Sequence, residues 1–215
     1  MPIPGVRVGL KVLLVFWIIY TIFFLVYMFT EYLFNPSGNW KVLPNICCDL
    51  IKKVPLYLHI IGATIILIFG PIQLINNVYK TRIHPYTGII YLTGFIFASG
   101  GGLTFIWFNG TTAGLWMTIP FIIYGILMLI YPALMVYYAV TNQIKKHQQW
   151  AIRTYMLGNG SVLYRTLYQF TCYVLIKCNI ITFTGTLDYV FDWLFFLIPI
   201  IISELYLLLV NYEII

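Results

Sequence analysis

The chain has 215 residues, of which 61% are hydrophobic and only 8% are charged. A water-soluble domain carries about 25% charged residues, so this composition excludes a soluble enzyme, a disordered chain and a nucleic-acid binder as the main interpretation. Long apolar runs argue against the alternating strands of a membrane barrel. The composition therefore predicts an all-α integral membrane protein whose partner is the lipid bilayer.

The apolar runs predict six membrane-spanning helices in a single multi-pass domain. A spanning helix needs about 20 apolar residues, and six such helices fit the length of the chain. Pro55 is expected in the first turn of the second span. Only a short turn joins the second and third spans, so these two spans are predicted to form a tight hairpin. In chain order the predicted spans are 12–29, 55–78, 86–108, 115–140, 150–176 and 190–210.

Basic residues near the span ends predict the orientation, because cytoplasmic loops carry an excess of Lys and Arg. Both termini are expected in the cytoplasm, since this arrangement puts seven basic residues inside and four outside. If the gene is viral, the membrane is that of its host. The inner residues are Arg7, Lys11, Lys80, Arg82, Lys145, Lys146 and Arg153, and the outer ones are Lys41, Lys52, Lys53 and Lys177.

The same orientation places two further features on the outer side. Asn109-Gly110-Thr111 is a glycosylation motif, which makes Asn109 a glycosylation candidate, although such motifs also occur by chance. A disulfide between Cys178 and either Cys47 or Cys48 is a reasonable hypothesis for an oxidising compartment. Buried or free thiols are the open alternative.

Three ionisable residues, His59, Arg165 and Glu204, fall inside predicted spans, where a charge is costly and usually faces the bundle interior. Arg165 and Glu204 are the most plausible partners for each other, because either alone would leave an uncompensated buried charge. Helical spacing adds Gln73 to the face of His59. We therefore expect a polar interior that binds or moves a small polar solute or protons, with a purely structural ion pair as the alternative.

A second polar face is predicted on the fifth span. A continuous helix would bring one polar stripe inward, although the Gly158-Asn159-Gly160 interruption allows its ends to rotate. The residues of this stripe are His147, Trp150, Thr154, Gly158, Ser161 and Arg165.

Two histidines lie at the predicted inner boundary, His84 near Arg82 and His147 near Arg153. Histidines in such a position bind a metal or haem iron, or shuttle protons. Two ligands make an incomplete site, so a haem or metal at His84 and His147 is an alternative to the main hypothesis. His59 is too far away to join them, at roughly 28 Å along its helix. The absence of G-x-S-x-G and H-E-x-x-H motifs weighs against an enzyme.

Small residues recur every four positions in the third span, at Gly94, Ala98 and Gly102. This pattern lets two helices approach closely, so it indicates packing rather than a ligand. A third hypothesis is accordingly a membrane scaffold whose Gly94/Ala98/Gly102 face recruits a second copy or another membrane chain.

Several motifs occur together in a fixed order: His59-x-x-Gly62, Gly70-Pro71-x-Gln73, Arg82-x-His84-x-x-x-Gly88-x-x-Tyr91 and His147-x-x-Trp150-x-x-Arg153-x-Tyr155, followed by Arg165 and Glu204. Over about residues 55–210 the chain resembles the predicted multi-pass membrane proteins grouped as domain of unknown function 2306. The resemblance implies architecture and supplies no reaction or substrate. Pro85 and the Gly158-Asn159-Gly160 segment depart from it. The candidates that it implies are His59, Gln73, Arg82, His84, His147, Trp150, Arg153, Arg165 and Glu204.

Overall fold

The computed structural model describes residues 19, 20, 22–24, 26, 50–74, 81–111, 114–166 and 186–211. These residues are helical or lie in short connections, with no strand among them, so the all-α fold class is confirmed. A shorter helical stretch covers residues 160–166. The long helices are α1 (Leu50–Leu74), α2 (Ile83–Asn109), α3 (Leu115–Val140), α4 (Ile144–Gly158) and α5 (Thr186–Asn211).

Among the residues that the structure describes, four helices are long and apolar enough to cross a bilayer. These segments are Lys53–Leu74, Ile83–Asn109, Leu115–Val140 and Tyr189–Leu209. Their outward faces carry isoleucines such as Ile61, Ile96 and Ile126, which are 48%, 60% and 46% exposed in the protein and contact lipid in a membrane. Much of the predicted spans 12–29 and 150–176 lies outside the described residues, so the count of six spans stays a prediction.

Four helices begin earlier than the sequence predicts: α1 at Leu50, α2 at Ile83, α4 at Ile144 and α5 at Thr186. α1 begins at Leu50 and contains Pro55, because membrane helices tolerate an interior proline whose neighbours satisfy the freed backbone groups. α4 begins at Ile144, six residues before the predicted span 150–176, so part of the polar connection between the two predicted spans is helical. Lys145 and Lys146 are exposed on this part of α4. α3 has the predicted bounds.

α1 and α2 form the predicted antiparallel hairpin, with their backbones in contact. A Cβ on Gly62 of α1 would collide with the Ala98 amide nitrogen and would lie 2.6 Å from the Gly94 carbonyl oxygen. A Cβ on Gly101 of α2 would lie 2.5 Å from the Pro55 carbonyl oxygen. Only residues without a side chain at these two points allow the helices to approach so closely.

This contact corrects the predicted role of the small-residue face. Gly94 and Ala98 are buried against α1 of the same chain, and Gly102 lies against the His59 ring. The face is therefore occupied within the chain and is not free to bind a second one. Self-association stays a prediction without an assigned surface.

The core lies where α2, α3, α4 and α5 meet. Phe95 of α2, Leu157 of α4 and Phe195 of α5 are almost completely buried. The Ser99 hydroxyl of α2 donates to the Gly125 carbonyl oxygen of α3, which links those two helices. The apolar packing and this interhelical hydrogen bond fix the positions from which polar side chains enter the bundle.

The predicted interruption of the fifth span is confirmed. α4 ends at Gly158, Asn159 has φ −86° and ψ −2°, and residues 160–166 are helical again. The Leu163 N–H donates to the Asn159 carbonyl oxygen at 3.1 Å, so the second stretch starts directly from the break. A Cβ on Gly158 would lie 2.9 Å from Ile66, which shows that this point of the chain packs on α1.

The chain divides into two compact units, one of Leu50–Ser203 and one of Met1–Asp49 with Glu204–Ile215. The side-chain contacts presented below lie within the Leu50–Ser203 unit. In the other unit the described residues are helical, at 19, 20, 22–24, 26 and 204–211. The single multi-pass domain predicted from the sequence stays a prediction.

Candidate functional site

His84 and His147 lie side by side at one end of the bundle. Their ring centroids are 6.4 Å apart and their planes are inclined at 83°. His147 Nδ1 donates to the Met135 carbonyl oxygen at 2.9 Å, whereas Nδ1 of His84 is buried and has no hydrogen-bond partner among the described residues. The first turns of α2 and α4 supply the two rings. The two histidines therefore converge as their positions in the sequence suggested.

The two inner-face arginines are arranged differently. The Arg153 guanidinium lies 4.9 Å from the centre of the Trp150 ring, and Trp150 packs edge-on against Tyr131 at 5.3 Å. This cation–π contact is typical of an aromatic and basic membrane boundary. Arg82 is exposed and directly precedes the first residue of α2. Arg153 and Trp150 thus form one contact, and Arg82 lies outside it.

Gln73 belongs to the same end of the bundle as His84. Its side-chain amide donates to the Thr87 hydroxyl at 2.7 Å and to the His84 carbonyl oxygen at 3.4 Å. These bonds tie the end of α1 to the first turns of α2. Gln73 follows His59 by 14 residues, a rise of roughly 21 Å along a helix. Gln73 therefore does not share a site with His59.

His59 lies between α1 and α2. His59 Nδ1 donates to the Ala98 carbonyl oxygen at 2.6 Å, and Gly102 leaves room for the ring, since a Cβ there would lie 2.9 Å from Nδ1. Arg165 is half-buried on the 160–166 stretch. The polar interior predicted around His59 and Arg165 stays a prediction.

Several predicted sites stay untested. Glu204 begins the second compact unit, so its ion pair with Arg165 stays a prediction. Cys47, Cys48 and Cys178, with the predicted disulfide, lie outside the described residues.

Asn109 is the last residue of α2, and its side-chain nitrogen donates to the Phe105 carbonyl oxygen at 3.1 Å. This nitrogen is the atom to which a glycan would be attached. Its bond to the helix end gives no support to glycosylation, which stays a prediction.

Two hydroxyls deep in the core were not recognised as site residues from the sequence. Tyr91 is 3% exposed and Thr154 is 0% exposed, and neither hydroxyl has a hydrogen-bond partner among the described residues. A Cβ on Gly70 would touch the rings of both Tyr155 and Tyr91, at 3.0 and 3.2 Å. Buried polar atoms are normally paired, so these two hydroxyls require a functional or structural explanation.

Tyr124 has a third buried hydroxyl, which lies between these two residues and the 160–166 stretch. The Tyr124 hydroxyl donates to the Leu157 carbonyl oxygen at 3.0 Å, and a Cβ on Gly160 would lie 3.3 Å from that hydroxyl. Tyr124 and Tyr91 belong to the same buried cluster. Thr154 and Ser161 thus belong to the inward stripe predicted for the fifth span.

Asp192 is a further buried ionisable residue that the sequence interpretation missed. It is 0% exposed and lies on the buried face of α5 that also carries Phe195 and Ser203. The available signal was an acidic residue near the start of the predicted span 190–210. A fully buried carboxylate needs polar surroundings to remain in such a helix.

The described residues contain no group of three or more His, Cys, Asp or Glu side chains close enough to hold a metal ion. His84 and His147 accordingly form a pair, and any further ligand at that place would have to come from another type of residue or from solvent.

The helices and their lipid-facing surfaces define a multi-helix integral membrane protein. A family model described as "Predicted membrane protein (DUF2306)" matches residues 56–207, and the chain belongs to this family. The resemblance indicated by the motifs is thereby confirmed. Neither the curated proteins nor the solved structures contain a match to the chain.

Proposed function

We propose that this protein moves protons across the membrane along a buried polar route between two histidine sites. The route starts at the His84–His147 pair and ends at His59 and Arg165. Its interior groups are the hydroxyls of Tyr91, Thr154, Tyr124 and Ser161.

The single observation that carries the proposal is the pair of buried hydroxyls of Tyr91 and Thr154, neither of which has a hydrogen-bond partner within the described part of the chain. Each follows one of the paired histidines by seven residues, Tyr91 on α2 and Thr154 on α4. Two helical turns put them on the same face as the histidines, about 10 Å deeper in the bundle. Internal water satisfies such groups in proteins, and it would connect the histidines to the two hydroxyls.

The inner part of the route passes from Tyr91 through Tyr124 and Ser161 to Arg165 and His59. Tyr91 and Tyr124 belong to the same buried cluster, and a Cβ on Gly160, next to Ser161, would lie 3.3 Å from the Tyr124 hydroxyl. Ser161 precedes Arg165 by one helical turn. This order extends the proposed line of polar groups to the second histidine.

The length of the route fits a membrane crossing. His147 and Arg165 are 18 residues apart, which corresponds to at most about 27 Å of helical rise, because the helix is interrupted at Asn159. The hydrocarbon core of a bilayer is about 30 Å thick. A line of polar groups between these residues would therefore cover most of the apolar layer.

The chemistry of the side chains favours protons over other cargo. Hydroxyls both donate and accept hydrogen bonds, and a neutral imidazole does the same through its two nitrogens. Histidine also changes its charge near neutral pH. Binding of a small polar solute by the same groups is the other outcome that the experiment below separates.

The experiment is proton flux into liposomes that contain the purified protein and the trapped pH-sensitive dye pyranine. A potassium gradient with valinomycin supplies an inside-negative potential. We expect the wild-type protein to acidify the lumen faster than protein-free liposomes do. Tyr91→Phe and Thr154→Val should each slow the flux by about tenfold, the equivalent of one lost hydrogen bond of about 1.4 kcal/mol.

Two substitutions provide matched controls. Thr93→Val removes a hydroxyl of α2 that bonds to the Ile89 carbonyl oxygen of its own helix, and Tyr137→Phe removes a hydroxyl from a side chain that is 54% exposed. Both should retain wild-type flux. Wild-type flux no greater than that of protein-free liposomes would refute proton transport and leave solute binding.

A further inference from the structure

We propose that His84 and His147 together bind one first-row transition-metal ion, with His84 Nδ1 and His147 Nε2 as the two protein ligands. This site goes beyond the proposed proton route, and its test measures binding at equilibrium. Failure of the metal site and failure of proton transport are therefore distinguishable.

The hydrogen bond of His147 determines which ring nitrogen can bind a metal. A carbonyl oxygen accepts only, so the Nδ1 that meets the Met135 carbonyl oxygen at 2.9 Å carries the proton. In the neutral ring the lone pair then lies on Nε2. Metal-binding histidines typically donate their other ring N–H to a backbone carbonyl in this way, which fixes the tautomer and the ring orientation.

His84 has a ring nitrogen that is available as a metal ligand. Nδ1 of this ring is buried and has no hydrogen-bond partner among the described residues. His59 and His147 both use Nδ1 to donate to a carbonyl oxygen, so His84 differs from the other two histidines of the chain. Coordination of a cation would satisfy its lone pair.

The distance between the His84 and His147 rings fits binding to one metal ion. Imidazole nitrogens bind zinc at about 2.0–2.1 Å, so two rings on one ion have centroids roughly 5–6.5 Å apart, depending on the angle at the metal. The observed separation of 6.4 Å lies at the upper end of this range. The rings also belong to different helices, so small helix movements can adjust the distance.

The donor set indicates the kind of ion. Imidazole suits Zn²⁺, Cu²⁺, Fe²⁺ and Ni²⁺, and among divalent ions Cu²⁺ gives the tightest complexes with a given nitrogen site. With two protein ligands, the remaining coordination positions are filled by water. The site would therefore be open and exchange its metal readily.

The experiment titrates detergent-purified protein with Cu²⁺ and records both the bound metal and the electron paramagnetic resonance spectrum. We expect one saturable site whose spectrum shows coupling to two imidazole nitrogens. His84→Ala and His147→Asn should each raise the Kd at least about tenfold. Asn at position 147 retains an amide that can donate to Met135, so this variant removes the ligand and keeps the structural hydrogen bond.

His59→Ala is the matched control, because it removes a histidine of the same unit that lies outside the pair. It should bind Cu²⁺ like the wild type. Equal Cu²⁺ binding by the wild type, His84→Ala and His147→Asn would overturn the site. If the purified wild type shows a Soret band and both variants lack it, the histidines bind haem iron, and the proposal of a single hydrated metal ion is wrong.

Discussion

The imidazole of His59 donates a hydrogen bond from Nδ1 to the carbonyl oxygen of Ala98 at 2.6 Å, joining α1 to α2. The amide of Ala98 lies against Gly62, so the polar bond and the closest backbone approach occupy one segment of the hairpin. Because the carbonyl oxygen has a second lone pair, it can accept this bond in addition to its helical partner. His59 thus helps to hold the hairpin.

Gly62→Ala tests the backbone contact between α1 and α2. The added methyl group would collide with the Ala98 amide nitrogen, and overpacking of this kind costs about 1–3 kcal/mol. We expect a lower midpoint of thermal unfolding in detergent. Gly100→Ala is the control on α2, because no atom lies within 4 Å of its added Cβ. Equal midpoints for the two variants would contradict the close approach.

Ser99→Ala tests the link between α2 and α3. The substitution removes the donor to the Gly125 carbonyl oxygen, and interhelical hydrogen bonds in membrane proteins average about 0.6 kcal/mol with a maximum near 1.7. We expect a modest loss of unfolding free energy in a detergent-based assay. Thr93→Val, whose hydroxyl bonds within its own helix, should lose less. A larger loss for Thr93→Val would count against an interhelical role for Ser99.

Arg165→Gln and Glu204→Gln test the ion pair that the sequence predicts. Both residues are half-buried, and removing one partner of such a pair would leave the other charge unpaired, so each single variant should lose stability. The double variant should therefore lose less stability than the sum of the two single losses. Exchange of the two residues, Arg165→Glu with Glu204→Arg, should restore folded protein. Additive losses together with an unfolded exchange variant would show that the residues are not paired.

The orientation can be measured at the two ends of α3. Lys145→Cys and Leu115→Cys, each in a background with the four native cysteines replaced by serine, are treated in intact cells with a membrane-impermeant maleimide. Both residues are exposed, and α3 separates them. With cytoplasmic termini, Leu115→Cys should react in intact cells and Lys145→Cys only after permeabilisation. The reverse pattern would invert the predicted topology.

Much of the fold can be predicted from the sequence because helices in lipid are specified by apolar length. α3 has the predicted bounds, and the small-residue pattern at Gly94 and Ala98 correctly indicated close packing. The helix that packs against these residues was not predictable, since a face of small residues can contact a helix of the same chain or of another chain. The early start of α4 at Ile144 was missed because polarity alone suggested a loop.

The candidate site was only partly predictable. His84 and His147 lie near predicted span ends, which placed both on the same side of the membrane. The distance between them depends on how α2 and α4 pack. The sequence pattern placed Thr154 on the inward stripe and Tyr91 in a family motif, but it does not show whether their hydroxyls are paired, because a threonine in a helix usually bonds to its own backbone, as Thr93 does. Whether a hydroxyl is paired depends on its neighbours in space, and those neighbours come from other helices.

The central claim is that Tyr91 and Thr154 serve one proton route. The most direct measurement is proton flux into liposomes containing the combined variant Tyr91→Phe/Thr154→Val, beside each single variant and the wild type. If the two hydroxyls act on one route, the combined variant should be no slower than the slower single variant, and the wild type should be well above protein-free liposomes. Wild-type flux in the combined variant would contradict the account.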